Sequence, residues 1–139
     1  MNKVFLSVVI LFCTASFYAA DFATPELAVE SYIKAVKTGS GEHLMMAFDE
    51  TATIKYYDNN GKFNNYSRDE FAKLINSGNQ WDAEIKITNM LRTENAANAT
   101  VEFTWGENKE HGYVDYLNLL YDGKSWRVTS KVAQYVKRK

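Results

Sequence analysis

The sequence predicts an α+β domain: a strongly curved mixed or antiparallel sheet wrapped round an N-terminal helix, with three helices and about six strands. Three observations carry this. An amphipathic helix opens the domain and needs a concave apolar face to cover it. A hairpin and a further helix follow. Four long alternating segments then run to the C-terminus as an antiparallel meander.

Each element has a local cause. Thr24 is a hydroxyl N-cap and Pro25 suits the first helical position, where its missing N–H costs nothing. Ala28, Val29, Tyr32, Ile33 and Val36 recur at helical spacing, and Gly39 ends the run. Ser40 caps a short second helix carrying Leu44, Met45 and Phe48. Ala52, Ile54 and Tyr56 alternate against Thr53, Lys55 and Tyr57, and Asp58-Asn59-Asn60-Gly61 supplies the positive φ angles of a tight hairpin turn. Ser67-Arg68-Asp69-Glu70 is a capping box, followed by Phe71, Leu74 and Ile75 as the stripe of a third helix that Gly78 stops. Strands are expected at 84–90, around Val101, Phe103 and Trp105, at 113–121 and at 125–133. Turns are expected at Asn95 to Asn98, Gly106 to Gly112 and Asp122-Gly123.

Residues 1–20 have the layout of an export signal: Lys3, an apolar run from Val4 to Cys13 broken only by Ser7, and small residues at Ala19-Ala20. The run is too short to span a bilayer, which takes about 20 apolar residues. A secreted or periplasmic product is therefore expected, cleaved near Ala20, with one domain over 21–139 and no stable membrane span after cleavage. Cys13, the single cysteine, leaves with the signal, so the domain is held by packing alone. A formal charge of −1 and no basic stripe beyond Lys137-Arg138-Lys139 exclude nucleic acid as partner.

Asp115 draws attention because an aspartate among Tyr113, Val114, Tyr116 and Leu117 is costly to bury unless something offsets it. It is either a capped or ion-paired carboxylate, with Arg127 or Lys131 as partner, or a cavity acid whose pKa is raised by burial. His43 and His111 are isolated and make a weak metal signal, so no metal and no cofactor are expected. Tyr56, Trp81, Trp105 and Trp126 read first as core, with Trp105 the best candidate to line a cavity mouth. Neither a Gly-x-Ser-x-Gly elbow nor a glycine-rich phosphate loop is present.

The segments Ser31 to Gly39, Leu44 to Phe48, Asp49 to Ile54, Val114-Asp115-Tyr116-Leu117 and Gly123-Lys124 resemble the nuclear transport factor 2-like superfamily. This is the cystatin-like cone shared with ketosteroid isomerase and the polyketide cyclases. The Asp-Tyr-Leu, the Asp-Gly-Lys turn and the following Trp126 look most like the branch labelled putative lumazine-binding. The resemblance implies a cavity at the wide end of the cone. It places Tyr32 and Asp115 on the isomerase's two oxyanion donors, and Tyr56 where that enzyme has its base. A phenol with a pKa near 10 is a poor base.

The expected function is accordingly an exported domain that binds a small apolar or aromatic ligand through Tyr32, Tyr56, Trp105 and Asp115, without assignable catalysis. Two alternatives stand beside it. One is an isomerase, cyclase or dehydratase-like enzyme using Asp115 or His111. The other is a ligand-free homodimer joined through the outer sheet face, with Tyr113, Tyr116, Tyr121 and Tyr135 as its aromatic surface.

Overall fold

The computed structural model describes residues 21–76 and 81–139. The expected export signal, residues 1–20, and Gly78 lie outside the described residues. The order is α1 (Pro25–Thr38), α2 (Gly41–Ala47), β1 (Phe48–Tyr57), β2 (Phe63–Ser67), α3 (Arg68–Ile75), β3 (Glu84–Thr93), β4 (Ala96–Trp105), β5 (His111–Tyr121) and β6 (Trp126–Lys137).

Both termini of α1 behave as their residues dictate. Thr24 accepts a hydrogen bond from the Leu27 amide, and Gly39 takes the left-handed conformation at φ 66° that a side chain would resist. Its stripe buries Ala28, Val29, Tyr32, Ala35 and Val36, while Ile33 is only half-buried. The short α2 differs from expectation. Leu44 and Ala47 face inward, Met45 is exposed, and Phe48 already belongs to β1. Gly41 is needed there because a Cβ would stand 2.6 Å from the Ala72 carbonyl oxygen of α3. The capping box at Ser67 and Glu70 forms as expected, but Phe71 and Ala72 carry the burial of α3 and Leu74 is exposed.

The six strands form one mixed sheet in the order β2-β1-β6-β5-β4-β3. β3 to β6 are the expected antiparallel meander, and β1 lies parallel to β6. The first turn is tighter than expected. Thr93 already faces Ala96 across a two-residue connection, so Asn98 sits inside β4. Register shifts interrupt the β1–β6, β3–β4 and β5–β6 ladders. Such bulges bend and twist a strand locally, which suits a sheet that must curl round a helix. The core lies between α1 and the inner face, with Phe48, Ile54, Val101, Phe103, Leu117, Leu119 and Val128 all sealed. No helix among the described residues is long and apolar enough to cross a membrane.

Candidate functional site

Period-two alternation turns Tyr113, Asp115 and Leu117 of β5 toward the helix side. Asp115 faces Ala133 of β6, so Lys131, two residues earlier on that strand, is its diagonal neighbour on the same face. The inner stripe of α1 delivers Tyr32 to the same place. Its hydroxyl donates to Asp115 Oδ2 at 2.6 Å, and Lys131 Nζ lies 3.2 Å from that oxygen. Tyr32 and Asp115 are 1% exposed and Lys131 6%, so all three polar ends are withdrawn from water.

Burial dominates the electrostatics. It pushes the Asp115 carboxyl above the usual carboxylate range, while the Lys131 ammonium and the Tyr32 hydrogen bond pull it back down. Burial first, and then the Asp115 charge, push the Tyr32 phenol well above its ordinary value. A buried charge pair is tolerable when well bonded, but losing one partner strands the other. Asp115 Oδ2 has two partners. Oδ1, also buried, has no hydrogen-bond partner among the described residues.

Above this trio lies a cavity of about 130 Å³. Tyr32 and Val36 come to its wall from α1, Tyr56 from β1, and Phe71 and Ile75 from α3. Trp81, Phe103, Tyr113, Asp115 and Lys131 complete it. The rings brace one another: Trp81 stacks on Phe103 at 5.3 Å, and Tyr56 meets Tyr113 edge-on at 6.0 Å. Lys131 Nζ is held among aromatic faces, 4.9 Å from the Phe71 centroid and 5.3 Å from that of Tyr56. Sites for drug-sized ligands run to about 300–1,000 Å³, whereas a dry cavity of about 150 Å³ accepts benzene. This one has room for a single ring.

The structure brings together three of the expected ligand-binding residues, Tyr32, Tyr56 and Asp115, at one cavity. Trp105 is not among the wall residues. It packs behind the wall, 4.7 Å from the Trp81 ring and 5.8 Å from Tyr113, because the Trp81 side chain occupies the place nearer the cavity. Tyr32 does not present a free donor either, since its one proton is directed to Asp115. Burial pushes the Tyr56 phenol far above its ordinary value, which removes it as a base.

The other candidates lie elsewhere. Asp58 takes the amides of Asn60 and Lys62 on one oxygen and the Asn64 side chain on the other, so its carboxylate builds the hairpin turn. His111 bonds through Nδ1 to the Tyr135 hydroxyl at 2.6 Å and stacks on Trp105, away from the cavity wall. His43 lends its backbone carbonyl to Ser31. Arg127, the other partner considered for Asp115, donates instead to the Met46 carbonyl. Of the four tyrosines considered for an outer surface, Tyr116 alone is exposed, at 51%. No group of three His, Cys, Asp or Glu side chains that could hold a metal occurs among the described residues.

From sequence Lys131 reads only as one possible ion-pair partner of Asp115; its place in the cavity wall comes from the structure. Strict alternation from Val128 would turn Ser130 and Val132 inward. The register shift after Asn118 instead turns Lys131 and Ala133 inward and leaves Val132 53% exposed.

A cone of helices on a curled sheet, hollow at one end, is the architecture of the nuclear transport factor 2-like superfamily. Residues 20–134 match the model of the family described as "putative lumazine-binding", and the chain belongs to that family. Among solved structures it is similar to a nuclear transport factor 2-like protein of unknown function from Methylobacillus flagellatus, at 30% identity over 80% of this chain and 88% of the other, TM-score 0.66. A second such protein, from Silicibacter pomeroyi, is 25% identical over 79% of this chain and 91% of the other, TM-score 0.68. A ketosteroid isomerase-like protein from Erwinia carotovora atroseptica, 13% identical over 84% and 96%, TM-score 0.65, shares the fold. The search of curated proteins returned no match.

Proposed function

We propose that this is an exported binding domain that holds one flat ring of a small molecule in the cavity and catalyses no reaction on it. The observation that carries the reading is a ring-sized, aromatic-walled hollow ending on a buried Tyr32–Asp115–Lys131 cluster. Apolar walls supply affinity, and a few placed polar groups set orientation. The family's description names a flat fused heterocycle, and a flat ring is the shape these walls admit. Against catalysis stands the chemistry of the wall. Its one described carboxylate is bonded to Tyr32 and Lys131, its described residues include no imidazole, and the phenol at the base position is a weaker base site than a carboxylate. Export rests on the pattern of residues 1–20.

Thermal unfolding of the purified domain with benzene, indole, quinoline and lumazine tests this. A ligand at about a hundred times its dissociation constant adds about 2.7 kcal/mol, which raises the melting temperature by several degrees. Quenching of tryptophan emission should accompany binding, because Trp81 is in the wall. If none of the four raises the melting temperature, the binding reading fails. Pairing of two domains through the outer sheet face is a separate proposal. It rests on Tyr116 and Val132, which sit opposite one another on β5 and β6 and are both about half exposed. Light scattering at micromolar concentration should give twice the monomer mass, and a monomer mass rejects it.

A further inference from the structure

The ion pair at the end of the cavity leaves hydrogen-bonding capacity of both kinds unused, and this narrows the binding reading on which the inference rests. Asp115 Oδ2 receives both the Tyr32 hydroxyl and Lys131, at 2.6 and 3.2 Å. Oδ1 of the same wall residue is buried and receives nothing among the described residues. An ammonium has three donors. Lys131 spends one on Asp115, and its other described neighbours are the ring faces of Tyr32, Tyr56 and Phe71. Asp115 and Lys131, both in the wall of a cavity sized for a ring, therefore carry an acceptor without a donor and donors without an acceptor.

We propose that the cavity selects an uncharged ring bearing a hydrogen-bond acceptor and an N–H or O–H donor on adjacent atoms. The acceptor takes Lys131 and the donor takes Asp115 Oδ1. Charge argues for neutrality, because the pair already sums to zero in a desolvated place. An added anion would meet Asp115 and an added cation would meet Lys131, each without a free counter-charge. A lone carbonyl or an enolate would fill Lys131 and leave Oδ1 bare. This is a different specificity from a pair of donors converging on one oxygen, and Lys131 is the residue that makes the difference.

Titration calorimetry of the intact domain with 2-pyridone, N-methyl-2-pyridone and benzene separates the possibilities. The expected result is 2-pyridone binding about 10–100-fold more tightly than its N-methyl derivative, the worth of a hydrogen bond to a charged group. A paired variant, Asp115→Leu with Lys131→Met, removes both charges and should bind the two pyridones alike. Equal binding of the pyridones to the unaltered domain overturns this inference and leaves the ring-binding reading standing. A preference that persists in the paired variant is steric and also overturns it. Binding of none of the three overturns both. The comparison on the unaltered domain needs no variant to fold.

Discussion

Two hollows among the described residues differ in kind, and the larger is the less interesting chemically. An open groove of about 780 Å³ runs between α2, α3 and the starts of β1 and β6, with Glu42, Asp49, Arg68 and Arg127 along it. The cavity at Asp115 is about a sixth of that volume, and the Asp115–Lys131 pair lies in its wall. In the groove a pair such as Arg68–Asp69, at 2.9 Å, has its carboxylate exposed to solvent and is worth little. In the cavity the Asp115 and Lys131 side chains are buried among rings, so each unmet hydrogen bond counts in full. What distinguishes a site is how completely its polar groups have been desolvated, and volume alone says little about that.

Substitution on either side breaks or sharpens this contrast. Lys131→Met should cost about 3–5 kcal/mol in urea unfolding, because it leaves Asp115 buried without its cation. Adding Asp115→Leu should recover part of that loss. Arg127→Met, at the groove, should cost about 1 kcal/mol, the worth of its bond to the Met46 carbonyl. Equal costs at the two positions would erase the distinction.

Gly41→Ala is an intermediate case at the groove floor. Its Cβ would meet backbone that a rotamer change cannot move aside, and α2 must shift from α3 for about 1–3 kcal/mol. If the loss is below about 0.5 kcal/mol, the close helix contact is not needed.

The smallest effect is the sharpest contrast, since the two hollows hold carboxylates shifted in opposite directions. Asp115 is raised in the folded protein by burial. Its protonated form therefore favours folding, and stability is lost as pH rises from about 3.8 through the raised native value. Asp49 is lowered, chiefly by the Thr51 hydroxyl and amide. Its contribution is present above about 3.8 and is lost as pH falls through the lowered native value. Carboxyl carbon shifts followed by NMR should give midpoints on opposite sides of 3.8, and Lys131→Met should move the Asp115 midpoint further up.

Most of the architecture was legible because it rests on local chemistry. Thr24, Gly39, Ser67 and the Asp58 turn act through atoms a few residues away, and period-two alternation in β4 and β5 needs only the strand itself. The meeting of Tyr32 with Asp115 was legible only through family resemblance, since 83 residues separate them. What escaped was set by register. Lys131 faces inward because one strand slips past another after Asn118, and no pattern within β6 alone fixes that slip. Trp105 reads as a cavity residue until Trp81, from outside any strand, takes the place in front of it.

The sixth strand does not lie at an edge of the sheet. Trp126–Lys137 lies between β1 and β5, and the Trp126 amide donates to the Phe22 carbonyl just ahead of α1. Without that strand the sheet divides into a β2–β1 pair and a three-stranded β5–β4–β3 piece, each with a bare edge open to a wrong neighbour. A truncation that stops before Trp126 loses the seam between two half-sheets, and with it the lysine that answers the buried acid.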